Sequence, residues 1–145
     1  MRIRKARPAD AGQIYRLVKG SRELVITSTY NFLEKEAIQQ WVRDKSISLF
    51  VAEDKGKVIG LIYAELLFGS GKAMYLDNLV VHPRYRGKGV GTMLLAACTA
   101  EMKRRGIRYA GMMVLKRNYE LRKGFFERNS FRKTGELYWI EKVVE

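Results

Sequence analysis

Residues 86–91 read Arg-Gly-Lys-Gly-Val-Gly, and no other segment limits the fold of this chain as strongly. Ahead of them, Ala73 to Val81 reads as a strand that ends before Pro83. Behind them, the run from Val90 to Met102 carries charge only at Glu101, which predicts a largely buried helix. Strand, glycine turn and helix in succession predict a mixed α/β layer structure. Glycines lack Cβ, so backbone N–H groups can approach an anion closely. The helix start adds unpaired N–H groups and a positive dipole end, and Arg86 and Lys88 add full charges. Together they predict a diphosphate cradle. A P-loop is absent, and a Gly-x-Gly-x-x-Gly fingerprint would need glycine where Thr92 stands. On the glycines alone, a tight turn that merely lays a helix onto a sheet explains the loop as well.

The remaining pattern predicts strand over 2–7, helix from Pro8, a loop over 20–32, helix over 33–44, strands over 48–53 and 58–67, strand over 107–115, helix over 118–128, and a strand pair or one bent strand over 131–143. The expected sheet is mixed and mostly antiparallel, of about six to seven strands, with helices on both faces. No repeat or linker interrupts the chain, so residues 1–145 are expected to form one domain.

The net charge of +13 is concentrated. Residues 82–133 hold 14 Lys/Arg against 3 Asp/Glu. Such a field favours an anionic partner: a phosphorylated cofactor, nucleic acid or an acidic substrate. One histidine and one cysteine leave almost nothing for a soft metal site, so no metal is expected. No run of 18 apolar residues occurs, so neither a membrane-spanning helix nor a membrane partner is expected. A cytoplasmic location is the expectation.

Arg86-x-x-Gly89-x-Gly91, preceded by Val80-Val81-His82-Pro83-x-Tyr85, resembles the acyl-CoA motif of the GNAT superfamily. That motif is Arg/Gln-x-x-Gly-x-Gly/Ala after a strand reading x-Val-x-Pro-x-Tyr. The element order is also similar to that family. The resemblance implies an acetyl-CoA-dependent N-acetyltransferase acting on a primary amine by direct attack through a tetrahedral intermediate. It implies that the amides of Arg86, Gly87, Lys88, Gly89, Val90, Gly91 and Thr92 hold the pyrophosphate. It implies further that the backbone at Leu79, Val80 and Val81 pairs with the pantetheine arm, where one amide serves an oxyanion, and that Asn118 contacts the cofactor.

An ammonium must lose a proton before it attacks. Asp77 is the first candidate base, since strand alternation puts it on the face of Leu79 and Val81. Glu65 is the second. Either can also be a hydrogen-bonded structural carboxylate, and His82, before Pro83, fits a turn role better. The family often supplies a tyrosine as acid after the asparagine. Here the stretch from Asn118 to Phe131 is one residue longer. Counting forward gives Phe125, and counting back gives Phe126. Neither can donate a proton, which leaves Tyr119, a water or no acid. By the same resemblance, Tyr30, Phe32, Tyr138 and Trp139 are candidates to line the acceptor site, and the edge strands could pair subunits into a homodimer. The acceptor is left open among a small amine, an amino acid and a protein amino group, with an acidic one favoured by the charge. The competing reading is a non-catalytic acyl-CoA-binding or nucleic-acid-binding module using the basic 82–133 surface.

Overall fold

Residues 48–81 supply the centre of the structure, because two short turns allow three long apolar strands to pair antiparallel. The computed structural model describes residues 1–28, 30–31 and 33–144. In chain order its elements are β1 (Arg2–Lys5), α1 (Ala11–Lys19), α2 (Lys35–Trp41), β2 (Ser48–Asp54), β3 (Lys57–Leu66), β4 (Ala73–Val81), α3 (Val90–Arg104), β5 (Tyr109–Gly111) and α4 (Lys116–Arg128). The sheet runs β1-β2-β3-β4-β5. The first four strands are antiparallel, and β5 joins β4 in parallel.

Helices cover both faces, as expected. Leu94, Leu95, Cys98 and Met102 of α3 pack with Phe50, Ile62 and Leu76 on one side. Ile14 and Val18 of α1 and Ile38 of α2 pack with Val51, Leu61 and Val80 on the other. Gly60 lets α3 sit close to the sheet: a Cβ there would meet Val80 O at 3.0 Å and Leu94 Cδ1 at 3.1 Å. The lone acid of α3 also has a structural task. Buried Glu101 accepts from Ser48 Oγ at 2.8 Å and pairs with Lys5 Nζ at 2.7 Å, tying α3 to β1 and β2.

The described residues form five strands rather than six to seven. The expected strand over 107–115 pairs only at Tyr109–Gly111. Residues 132–144 form no strand, although their apolar residues suit one, and Leu137, Tyr138 and Ile140 are exposed. A strand needs a neighbouring edge to accept its hydrogen bonds, and three residues of β5 offer little edge. Among the described residues no helix is long and apolar enough to cross a membrane.

Candidate active site

The middle of β4 does not alternate. Tyr63 pairs with Asn78 while Ala64 pairs with Leu76, so Asp77 is the extra residue of a β-bulge. Leu76 and Leu79 both pack on the α3 side, and Val80 packs on the α1–α2 side. The expectation that Asp77 shares a face with Leu79 and Val81 is therefore corrected. The inserted residue shifts the phase, and Asp77 falls in with Tyr63, Glu65 and Tyr75.

These four side chains form one electrostatic group. Tyr63 Oη donates to Glu65 Oε2 at 2.9 Å, and its ring lies 4.4 Å from that of Trp41. Burial first, then the Glu65 hydrogen bond and charge, push the Tyr63 phenol far above its ordinary range. Burial and the charge of Asp77 likewise raise Tyr75. Desolvation, and after it the like charge of Glu65, raise the Asp77 carboxyl above its ordinary value, against a hydrogen bond from Asn78 Nδ2 at 3.1 Å. Asp77 nonetheless keeps an open face to solvent, which tempers the desolvation and leaves the Glu65 charge as the firmer cause. Sequence reasoning found both carboxylates but missed the two tyrosines. The available signal was that each stands two residues before its acid, Tyr63 before Glu65 and Tyr75 before Asp77.

The glycine loop is open. Gly87 has φ 72° and Gly89 φ 78°, and a Cβ on either would meet nothing within 4 Å. Gly89 starts α3 with no side-chain cap. Residues 87–92 donate none of the backbone hydrogen bonds of the described turns and loops. Arg86 differs: its amide already donates to Pro83 O at 3.2 Å. The amides from Gly87 to Thr92 are therefore the ones not already engaged by the backbone of the described turns and loops. Lys88 Nζ lies 5.6 Å over the Tyr85 ring. His82 Nδ1 accepts from the Arg84 amide, which makes it a turn residue. Among the described residues, β4 beyond Tyr75, which pairs with Gly111, has no strand partner on its β5 side. The backbone from Leu76 to Val81 thus borders a slot beside the loop, with Leu79 and Val81 half-buried toward α3 and Val80 buried toward α1.

Helix α4 borders the same region. Its backbone leaves helical geometry at Arg122 (φ −126°, ψ 16°). Phe125 packs over the loop, its Cε2 3.3 Å from where a Gly91 Cβ would stand. Phe126 is buried, with Tyr119 stacked on it at 5.7 Å and Phe131 edge-on. Of the two phenylalanines, Phe125 is thus the one against the glycine loop. No hydrogen bond of the described residues joins Tyr119 to Asp77 or Glu65. Asn118 Nδ2 donates to Glu23 O at 2.8 Å, so its amide faces the 20–33 segment.

That segment encloses a cavity of about 340 Å³, lined by Val18, Leu24, Ile26, Tyr30 and Leu33 among others. Its lining includes neither acid, nor Tyr138, nor Trp139; Phe32 lies outside the described residues. Several cations of the basic region have partners: Arg86 and Arg122 at Glu23, Arg104 and Arg105 at Glu101, Lys123 at Glu127. Among the described residues no cluster of three or more His, Cys, Asp or Glu could hold a metal.

A sequence model of the acetyltransferase (GNAT) family matches residues 13–131. The chain belongs to that family. It is 32% identical over 93 residues to the L-2,4-diaminobutyric acid acetyltransferase of Nocardia farcinica, a match covering 64% of this chain and 45% of that protein. The chain thus spans less than half the length of that relative. It is 28% identical over 144 residues to an uncharacterized N-acetyltransferase of Chlorobaculum tepidum, covering 97% of this chain and 81% of the other. Among solved structures it superposes on the aminoglycoside N-acetyltransferase AAC(6')-Iy in complex with CoA with a TM-score of 0.78 at 18% identity, over 99% of this chain and 100% of that one. This last likeness is one of fold.

Proposed function

We propose that this chain transfers the acetyl group of acetyl-CoA to an amine, and that the acceptor carries a second cationic group. The observation that carries the reading is the open row of amides from Gly87 to Thr92, set beside the unpaired end of β4. The amides, the uncapped start of α3 and Lys88 would hold the diphosphate. The co-substrate supplies an activated acetyl thioester. The unpaired β4 backbone offers N–H groups to the arm and to an oxyanion. Asp77, as the carboxylate, takes the proton of the acceptor ammonium, directly or through water, and frees its lone pair.

Glu65 is the reason for naming a second cation. It sits beside Asp77 and accepts a hydrogen bond from the Tyr63 hydroxyl at 2.9 Å. Two carboxylates together favour a substrate with two positive groups. The acceptor named for the Nocardia relative is itself a diamino acid, which supports this reading. It departs from the acidic acceptor that net charge favours, because the local field on β3 and β4 is negative although the chain is basic.

Calorimetric titration of acetyl-CoA into the protein and into Gly89→Glu tests the cofactor half. Micromolar binding that the glutamate abolishes is expected, and no binding to the unaltered protein overturns the reading. An amine screen with thiol detection then tests the acceptor half. Diamines should exceed matched monoamines in kcat/KM by up to about fivefold, the worth of one partly exposed charge pair.

A further inference from the structure

We propose that Glu23 is a positioning residue, which with Arg86 and Arg122 pins the acceptor segment to the cofactor loop. On this view the Arg86 side chain serves the acceptor site rather than the phosphates. The inference rests on the acetyl-transfer reading above and takes the cavity lined by Leu24, Val25 and Ile26 as part of the acceptor site.

The Arg86 guanidinium is committed on two sides. Its Nε donates to Val81 O at 2.8 Å, at the end of β4. Its Nη2 pairs with Glu23 Oε1. The Glu23 side chain is 12% exposed and that of Arg86 38%, so the acid is shielded while the guanidinium stays partly open to water. Arg122 Nη2 reaches the same oxygen at 3.7 Å, and Arg122 is the kinked residue of α4. Two backbone carbonyls of the segment are held as well: Glu23 O by Asn118 Nδ2 at 2.8 Å and Val25 O by Arg117 Nη2 at 2.7 Å. One carboxylate between two guanidiniums, with the adjoining backbone fastened to α4, fixes where the segment lies. The phosphate cradle does not depend on the Arg86 side chain, because the free amides begin at Gly87.

Removing a shielded partner of such a pair leaves the other charge unmatched and frees the segment. Loop positioning is felt in substrate binding more than in the chemical step. Glu23→Gln should therefore raise the acceptor KM on the order of tenfold, with kcat and the acetyl-CoA Kd within about twofold of the unaltered protein. Arg86→Gln, a residue the motif admits at this position, should do the same. The double variant should show little more than either single change, because each removes the same contact. A weakened acetyl-CoA Kd in Arg86→Gln, or effects that multiply in the double variant, would overturn the proposal.

A second readout needs no activity. Chymotryptic cleavage after Tyr30, followed by mass spectrometry, should be faster by about tenfold in both single variants, tracking the freed segment, and no faster again in the double variant. Unchanged cleavage in both would overturn the proposal even if the chain acetylates amines. Faster cleavage would support it even if the acetyl-transfer reading failed. Glu23→Asp, which keeps the charge but falls one methylene short of Arg86, should shift cleavage in the same direction if Glu23→Gln folds poorly.

Discussion

Glu65 and Asp77 stand on adjacent antiparallel strands, and the charge of the first helps to hold a proton on the second. In the proposed reaction Asp77 must be ionised, so kcat/KM should rise as pH climbs through its elevated pKa. Glu65→Gln removes the like charge, lowers that pKa and should move the ascending limb to lower pH. Asp77→Asn should lose the limb and about 10²- to 10⁴-fold in rate. A pH–rate profile of the three proteins reads both effects. Stability should follow the opposite course. A carboxyl whose folded pKa is raised contributes stability below its unfolded pKa and loses it as pH rises through the folded one. Asp77→Asn mimics the protonated form, so its melting temperature at neutral pH should equal or exceed that of the unaltered protein.

Arg4 and Asp10 give the contrasting case. Arg4 donates to both Asp10 oxygens at 2.7 and 2.9 Å, and the Arg7 amide donates at 2.7 Å. The Arg4 hydrogen bonds hold the Asp10 carboxyl below its ordinary value despite burial. That stability is present above the unfolded aspartate pKa and is lost as pH falls through the depressed one. Asp10→Asn should cost about 2 kcal/mol at neutral pH and flatten the acid side of a stability–pH curve, as read by chemical denaturation.

Phe125 and Phe126 should respond differently to an added hydroxyl. Phe125 borders the glycine loop and is only half-buried. Phe125→Tyr should fold normally, and by supplying a proton donor beside the cofactor loop it should raise kcat. Phe126 is 8% exposed among aromatic rings. Phe126→Tyr buries a hydroxyl without a partner and should cost about 1–3 kcal/mol. Thermal melts and steady-state rates separate the two.

Cys98 should be inert while the protein is folded. It is fully buried in α3, and burial pushes its thiol up to about 12. A thiol reagent near pH 8 should find no reactive group until denaturant is added. Coenzyme A release can then be followed by thiol detection without a protein background.

The glycine loop was legible because its residues are contiguous. Left-handed glycines, a basic flank and a helix start are properties of neighbouring residues, so Gly87 to Thr92 could be placed from sequence. Apolar runs bounded by turn signals likewise placed β2, β3, β4 and α3 within a few residues. The strand expected over residues 131–143 shows the limit of that signal, since the pattern allows a strand but cannot supply the edge it pairs with.

Sequence alone thus determined the mixed sheet with helices on both faces and the glycine turn that joins β4 to α3. Only the tertiary structure decided that Asp77 occupies a bulge, because a bulge is defined by the register between β3 and β4. It also decided that Phe125 rather than Phe126 meets the loop, because the packing of α4 sets which ring faces Gly91. The pairing of Glu23 with Arg86 spans 63 positions. No local pattern encodes it, since it exists only where packing of α1, α4 and β4 brings a shielded acid against two arginines.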